Sequence, residues 1–176
     1  MRYIRLSMAS KRMKKRKVIV TAVSGVLLML LYLIIFSFSE QNGEQSGSLS
    51  QMISEKCAAF INALSGKHWS DAVLAGWAEY FEHPIRKLAH FTEYACMGVL
   101  VYVLWSQWLR QGKRLYVLTV LWVFLSALGD EIHQLFVPGR YGSFADVLLD
   151  TSGGMFGMLF CICVYRLFRR RRAKKS

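Results

Sequence analysis

Ten side chains that can bind ions, transfer protons or donate hydrogen bonds lie beside three apolar segments of the chain. They are Lys87, His90, Glu93, Asp130, Glu131, His133, Gln134, Arg140, Asp146 and Asp150. His90 and Glu93 are three residues apart, and Asp146 and Asp150 are four apart, so each pair would share one face of a helix. Imidazole and carboxylate groups held in this way can coordinate a divalent cation, transfer a proton or pair with an arginine.

The same residues also have purely structural interpretations. Asp146 could close a capping box with Ser143, because the S-x-x-D spacing before an apolar run marks a helix start. Asp150 could pair with Arg140 for structure alone, and His90 could simply hydrogen-bond a facing helix. His133 could form a buried ion pair with Asp130. Each ionisable group inside a membrane costs about 2.5–3.5 kcal/mol to insert, so their gathering at one level favours a functional site.

Membrane-spanning helices must position these polar residues. Residues 18–39 carry no charge over 22 positions, which is enough to cross a hydrocarbon core of about 30 Å. The charge-free parts of three later runs (94–109, 115–129 and 151–165) reach only about 23 Å as helices, so polar neighbours must complete each span. We predict an all-α integral membrane bundle of about four transmembrane helices, with a polar pocket between the second, third and fourth.

The basic residues predict the topology of this bundle. Eight precede the first apolar run, seven follow the last, and residues 110–114 hold three without an acid. By the positive-inside rule both termini should be cytoplasmic, which puts all eleven acidic residues on the outer side. We expect a basic cytoplasmic tail (1–17), a first transmembrane helix that is not cleaved as a signal peptide (18–39), an outer loop (40–86), a core with three transmembrane helices (87–168) and a second basic tail (169–176).

The outer loop is expected to contain two amphipathic helices. Apolar residues recur at helical spacing over 49–64 and again over 73–81, where Ser70 is a suitable N-cap. Amphipathic helices of this kind lie on a bilayer surface or cover a bundle.

The composition excludes most soluble classes. The net charge is +12, but 54% of the residues are hydrophobic, and many basic residues flank apolar runs. This arrangement indicates anionic membrane lipid, not nucleic acid, as the partner of the positive charge. Oligomerisation stays open. The four cysteines form no C-x-x-C motif, and three lie within apolar runs, so we interpret them as small hydrophobic residues.

Three motifs carry a family resemblance over about residues 40–160. They are RKxxHFxEY at 86–94, DExHQxFxPGR at 130–140 and SxxDxxxDTxGGxxG at 143–157. They are similar to motifs of the VanZ-like family of bacterial membrane proteins, in which Asn is common near the position of Asp150. The resemblance implies a location in the bacterial plasma membrane. The family takes its name from an accessory protein of glycopeptide resistance that is linked to reduced sensitivity to teicoplanin.

The sequence leaves four functions open. The first, which we favour, is an accessory protein that binds a lipid-linked wall precursor or a lipoglycopeptide at the outer leaflet. The second is an enzyme acting on an envelope lipid, with His90 or His133 as general base and Arg140 stabilising an anionic intermediate. The third is a divalent-metal site, although no cofactor is evident from the sequence. Its donors would come from His90, Glu93, Asp130, His133, Asp146 and Asp150. The fourth is proton-coupled transport.

Overall fold

The computed structural model describes residues 2–41 and 43–173, and within them the chain forms five helices and no strand. The helices are α1 (Arg2–Ser39), α2 (Gly43–Ser65), α3 (Asp71–Ser106), α4 (Lys113–Gln134) and α5 (Phe144–Ala173). The all-α prediction is therefore confirmed. Each membrane helix continues into most of the neighbouring basic tail. α1 begins at Arg2 and α5 ends at Ala173, so no helix ends at residue 17 or 169.

Four helices are long and apolar enough to cross a membrane, as predicted. The spans are Ser10–Ser39, Asp71–Ser106, Lys113–Gln134 and Phe144–Arg171. The mean hydropathy of their most apolar windows is 2.8, 1.3, 1.6 and 1.8 in that order. Large apolar side chains such as Met29, Leu33 and Phe160 are exposed on the bundle, as expected for surfaces that face lipid.

α3 corrects one feature of the predicted outer loop. The amphipathic segment over 73–81 is not a separate helix, because α3 runs without interruption from Asp71 through Pro84 to Ser106. Ser70 occupies the predicted N-cap position, although its side chain makes no capping hydrogen bond. At 36 residues α3 is about 54 Å long and exceeds the hydrocarbon thickness, so its first part extends beyond the membrane. α2 packs against α3.

α3 is also the central helix of the bundle, since it contacts each of the other four. Tyr94, Met97 and Val101 of α3 are almost fully buried, and they pack against Val123 of α4 and Val147 of α5. α1 adds Leu28 and Ile35 to the same cluster. This core lies directly beside the polar residues of α3.

Glycines allow α3 and α5 to approach closely. A Cβ atom at Gly157 would lie 2.0 Å from the carbonyl oxygen of Ala95, and one at Gly98 would lie 2.1 Å from that of Gly154. Gly153 is similarly close to the backbone of Phe91. Small residues four positions apart are the usual means by which transmembrane helices pack backbone to backbone. This contact sets the distance between His90 on α3 and Asp150 on α5.

Candidate functional site

The ionisable residues predicted from the sequence gather at one end of the bundle. This end is formed by the last turn of α1, the middle of α3, the last two turns of α4 and the first two turns of α5. We call these residues, with the side chains that contact them, the polar layer. Its contacts differ from the predicted ones in several respects.

Three residues from three helices form the buried centre of the polar layer. His90, Asp130 and Asp150 each offer one ligand atom, and these atoms all lie within 4.8 Å of one another. Asp150 is fully buried, and neither of its carboxylate oxygens accepts a hydrogen bond. Its Oδ2 lies 3.9 Å from Nδ1 of His90, which is close enough for an ion pair but too long for a hydrogen bond. We call this group the buried triad.

Asp130 is held by hydrogen bonds from two neighbours. Ser39 donates its hydroxyl to Oδ1 of Asp130 at 2.5 Å, and Gln134 donates from Nε2 to Oδ2 at 3.3 Å. Gln134 also bonds the Ser39 hydroxyl at 3.3 Å. The pocket was predicted between α3, α4 and α5, but Ser39 brings α1 into it as well.

The interpretation of Asp146 as a capping-box residue is wrong. The backbone N–H of Ser143 donates to Oε2 of Glu131 at 2.7 Å, so Glu131 takes the place that Asp146 would fill in a capping box. Asp146 instead forms an ion pair with Lys87 and joins α5 to α3. Glu131, although almost fully buried, thus has a partner in the turn before α5.

The ion pair between Lys87 and Asp146 is expected to contribute modestly to stability. The two side chains are 36% and 31% exposed, so solvent screens their attraction. In a double-mutant cycle with Lys87→Met and Asp146→Asn, measured by titration with sodium dodecyl sulfate, we expect a coupling energy of about 0.5–1 kcal/mol. A coupling indistinguishable from zero would contradict this contact between α3 and α5.

Arg140 does not fold over the acids, nor does it pair with Asp150 as one interpretation proposed. It lies in the α4–α5 loop and donates from Nε to the carbonyl oxygen of Gln41 at 3.0 Å and from Nη2 to that of Phe38 at 2.8 Å. Burial lowers the pKa of its guanidinium and the charge of Arg86 acts in the same direction, whereas the acids Asp130 and Glu131 raise it. A guanidinium nevertheless stays charged in proteins, so Arg140 places a positive charge at the C-terminal end of α1, where the helix dipole favours it.

His133 lies apart from the buried triad. Its ring stacks on Phe36 of α1 with centroids 4.9 Å apart, and its Nε2 is buried without a hydrogen bond. The proposed ion pair with Asp130 is not formed. His133 and Asp130 line the same opening, an α1–α4 groove of about 550 Å³ whose other walls are mainly aromatic and aliphatic.

Two smaller cavities also border the polar layer. One, of about 190 Å³ between α3, α4 and α5, is lined by Arg86, Lys87, His90 and Arg140 together with Glu131 and Asp146. The other, of about 100 Å³ near α2, contains Glu93 and shares Arg86, His90 and Arg140 with the first. All ten predicted residues therefore lie at the buried triad, at these cavities or at the α1–α4 groove, but they do not form one pocket.

Sequence reasoning missed the contribution of α1. The hydroxyl of Tyr32 bonds the Ser126 hydroxyl and accepts a hydrogen bond from Trp122 Nε1 at 3.0 Å. Phe36 and Ser39 follow on the same helix. A signal was present, because Ser24, Leu28, Tyr32, Ile35 and Ser39 recur at helical spacing and form one stripe with polar residues in an otherwise apolar segment.

Comparison with known proteins supplies the family. The family model described as VanZ/LLP1 matches residues 24–169, which include all five helices in whole or part and the complete polar layer. No curated protein and no solved structure matches the chain at a significant level.

Proposed function

The chain belongs to the VanZ/LLP1 family, and from this membership and the geometry of the polar layer we propose that it is an accessory protein of the bacterial cell envelope. It would bind a lipid-linked wall precursor or a lipoglycopeptide at the outer leaflet of the plasma membrane and thereby lower sensitivity to glycopeptides. We call the cavity of about 190 Å³ that is lined by Arg86, Lys87, His90 and Arg140 the basic cavity. The observation that carries the proposal is that this basic cavity and the α1–α4 groove lie at the same end of a membrane bundle.

The basic cavity suits the anionic part of such a ligand. Within residues 2–41 and 43–173, Lys87 and Arg86 are each paired with a carboxylate, whereas the guanidinium of Arg140 contacts carbonyl oxygens and no carboxylate lies within ion-pair distance of it. Nε of Arg86 is buried without a hydrogen bond. Arginine groups with unused donors are well matched to phosphate and carboxylate oxygens.

The α1–α4 groove suits the lipid part. It is lined by Tyr32, Ile35, Phe36, Trp122 and Leu125, and it opens on the bundle surface. Asp130 at its base belongs to the buried triad, and His90 of that triad lines the basic cavity. A headgroup in the cavity and part of a lipid chain in the groove would thus contact two residues of one cluster.

The proposal also assigns an orientation. Basic residues flank α1 and α5 at the end opposite the polar layer, and the α3–α4 loop carries three more. We infer that this end is cytoplasmic and that the polar layer opens to the outside, where wall precursors are displayed and glycopeptides arrive.

Direct binding tests the function. Full-length protein in lipid nanodiscs would be titrated with teicoplanin and with an undecaprenyl-pyrophosphate-linked wall precursor. Wild type should bind at least one of them, and Glu93→Gln, Asp130→Asn or His133→Ala should each weaken affinity by up to about tenfold, because each removes one polar contact without removing the apolar groove.

Glu79→Gln is the matched control, because Glu79 is exposed on α3 outside the polar layer. Cells expressing the same set at equal membrane levels should lose protection against teicoplanin in the same order as the affinities fall. If neither ligand binds, or if all variants bind like wild type, the proposed function is wrong.

A further inference from the structure

We propose that His90, Asp130 and Asp150 form a binding site for one divalent metal ion. One ligand atom from each residue lies within 4.8 Å of the other two, and the residues come from three different helices. This site goes beyond the proposed function. His90 lines the proposed headgroup cavity and Asp130 lines the groove, but Asp150, the fully buried member, lines neither. Metal binding can therefore be tested without either proposed ligand.

The unused hydrogen-bonding capacity of these groups points to an ion. Asp150 is fully buried, yet both of its carboxylate oxygens lack a hydrogen bond, and the buried Nδ1 of His90 also lacks one. Buried polar atoms without partners are rare in folded proteins because their desolvation is not offset. A cation between them would complete the coordination of all these atoms at once.

No positively charged side chain of the described residues takes this place. Lys87 is paired with Asp146, and Arg140 donates to backbone carbonyls of α1 and of the residues after it. Of the ion pairs within the described part of the chain, the one that reaches Asp150 comes from His90 at 3.9 Å. The cluster thus contains two carboxylates whose charge at most one imidazolium could balance.

The spacing of the three donors fits a small metal ion after minor adjustment. Ligand atoms about 2.1 Å from a metal are about 3.4 Å apart in tetrahedral geometry, and opposite ligands of an octahedron are about 4.2 Å apart. The 3.9 Å between His90 Nδ1 and Asp150 Oδ2 exceeds the tetrahedral spacing by about 0.5 Å. All three pairs lie within 4.8 Å, so shifts of about 1 Å in the side-chain positions would bring them to that spacing.

Asp130 is supported as a metal ligand usually is. Its oxygens accept hydrogen bonds from Ser39 at 2.5 Å and from Gln134 at 3.3 Å. Such outer bonds fix the orientation of a ligating carboxylate and leave its remaining lone pairs for the metal. Asp150 has no such support, which is consistent with a carboxylate whose partner is the ion itself.

The donor set indicates the kind of metal. One imidazole and two carboxylates suit Zn²⁺ or Mn²⁺, and the two negative charges would balance the charge of a divalent ion. Soft ions such as Cu(I) are disfavoured because no cysteine belongs to the cluster. Three protein ligands would leave at least one coordination position for water or a ligand oxygen.

Metal binding to the full chain in nanodiscs tests this inference. Protein stripped with a chelator would receive Zn²⁺, Mn²⁺ or Mg²⁺ singly, with metal content per chain and melting temperature as readouts. We expect one tightly held Zn²⁺ or Mn²⁺ per chain and a raised melting temperature. Asp150→Asn and Asp130→Asn should each weaken binding by at least about tenfold, as loss of a ligand requires.

Asp146→Asn is the matched control, because Asp146 is an acid of α5 four residues from Asp150 that pairs with Lys87 outside the cluster. It should bind metal like wild type. In addition, bound Mn²⁺ should show electron-spin coupling to an imidazole nitrogen in wild type and lose it in His90→Gln, a readout that a general loss of stability would not imitate.

Two results would overturn the inference. In one, wild type retains none of the three metals, and Asp150→Asn has the same melting temperature as wild type. Asp150 would then have no ion as its partner. In the other, metal binds equally well to wild type, Asp130→Asn and Asp150→Asn, which would place it elsewhere on the chain.

Discussion

Gly157→Ala is expected to destabilise the bundle strongly. The new Cβ would lie 2.0 Å from the carbonyl oxygen of Ala95 and 2.9 Å from its carbonyl carbon, and these are backbone atoms that no rotamer change can move. α3 and α5 must therefore separate. We expect a loss of about 3 kcal/mol in the free energy of unfolding, the upper end of the usual cost of overpacking.

Gly25→Ala provides the matched control for this prediction. Gly25 also lies inside a transmembrane helix, but a Cβ there meets no atom within 4 Å. Because alanine is a better helix former than glycine, Gly25→Ala should leave stability unchanged or raise it slightly. Both variants would be unfolded by titration with sodium dodecyl sulfate and followed by circular dichroism. Equal stability of the two would contradict the close contact between α3 and α5.

Arg140→Met is also expected to lower the free energy of unfolding. The substitution removes two charge-assisted hydrogen bonds, to the carbonyl oxygens of Phe38 and Gln41, and keeps much of the apolar stem. Such bonds contribute about 1.5–3 kcal/mol each when buried, but Arg140 is only partly buried, so we expect a total loss of about 2 kcal/mol. The consequence should be a looser C-terminal end of α1.

Two further variants distinguish this explanation from a simple loss of charge. Arg140→Lys keeps the charge but can serve only one of the two carbonyls well, so it should recover about half of the lost stability. Arg110→Met removes an exposed arginine from the α3–α4 loop and should be neutral. If Arg110→Met costs as much as Arg140→Met, the carbonyl contacts are not the cause.

Hydropathy and charge were sufficient to predict the spans and the level of the polar layer. The polar residues of α3, α4 and α5 were expected to complete spans that are too short as apolar runs, and the structure does place them at one end of the bundle. Spacing predicts which of these residues share a helix face, because residues three or four apart on a helix are neighbours. The family resemblance over the same motifs is confirmed by the match to residues 24–169.

The partners of those residues could not be predicted from spacing. A periodic pattern shows which face of a helix carries a side chain, but not which neighbouring helix meets that face. Ser39 was therefore counted as the end of an apolar run, although it bonds Asp130. Arg140 was expected near the acids because opposite charges attract, whereas the unsatisfied carbonyls at the end of α1 compete for the same guanidinium.

A related reason explains why the short amphipathic helix predicted over 73–81 is part of α3 and not a separate helix. Pro84 and the polar residues around it resemble a break between a surface helix and a transmembrane helix. Proline removes only one backbone donor, however, and the packing of α2 along α3 supports the helix on both sides of it. Tertiary contact thus overrides the local sequence signal.

The mean hydropathy of the four spans has a consequence for how the protein enters the membrane during synthesis. α1, at 2.8, can leave the translocon for lipid unaided, and it is the first span to emerge from the ribosome. α3 at 1.3 carries His90 and Glu93 into the bilayer, and the partners of His90 on α4 and α5 have not yet been translated when it arrives. Of the four spans, α3 is therefore the one whose insertion should depend most on the later arrival of α4 and α5.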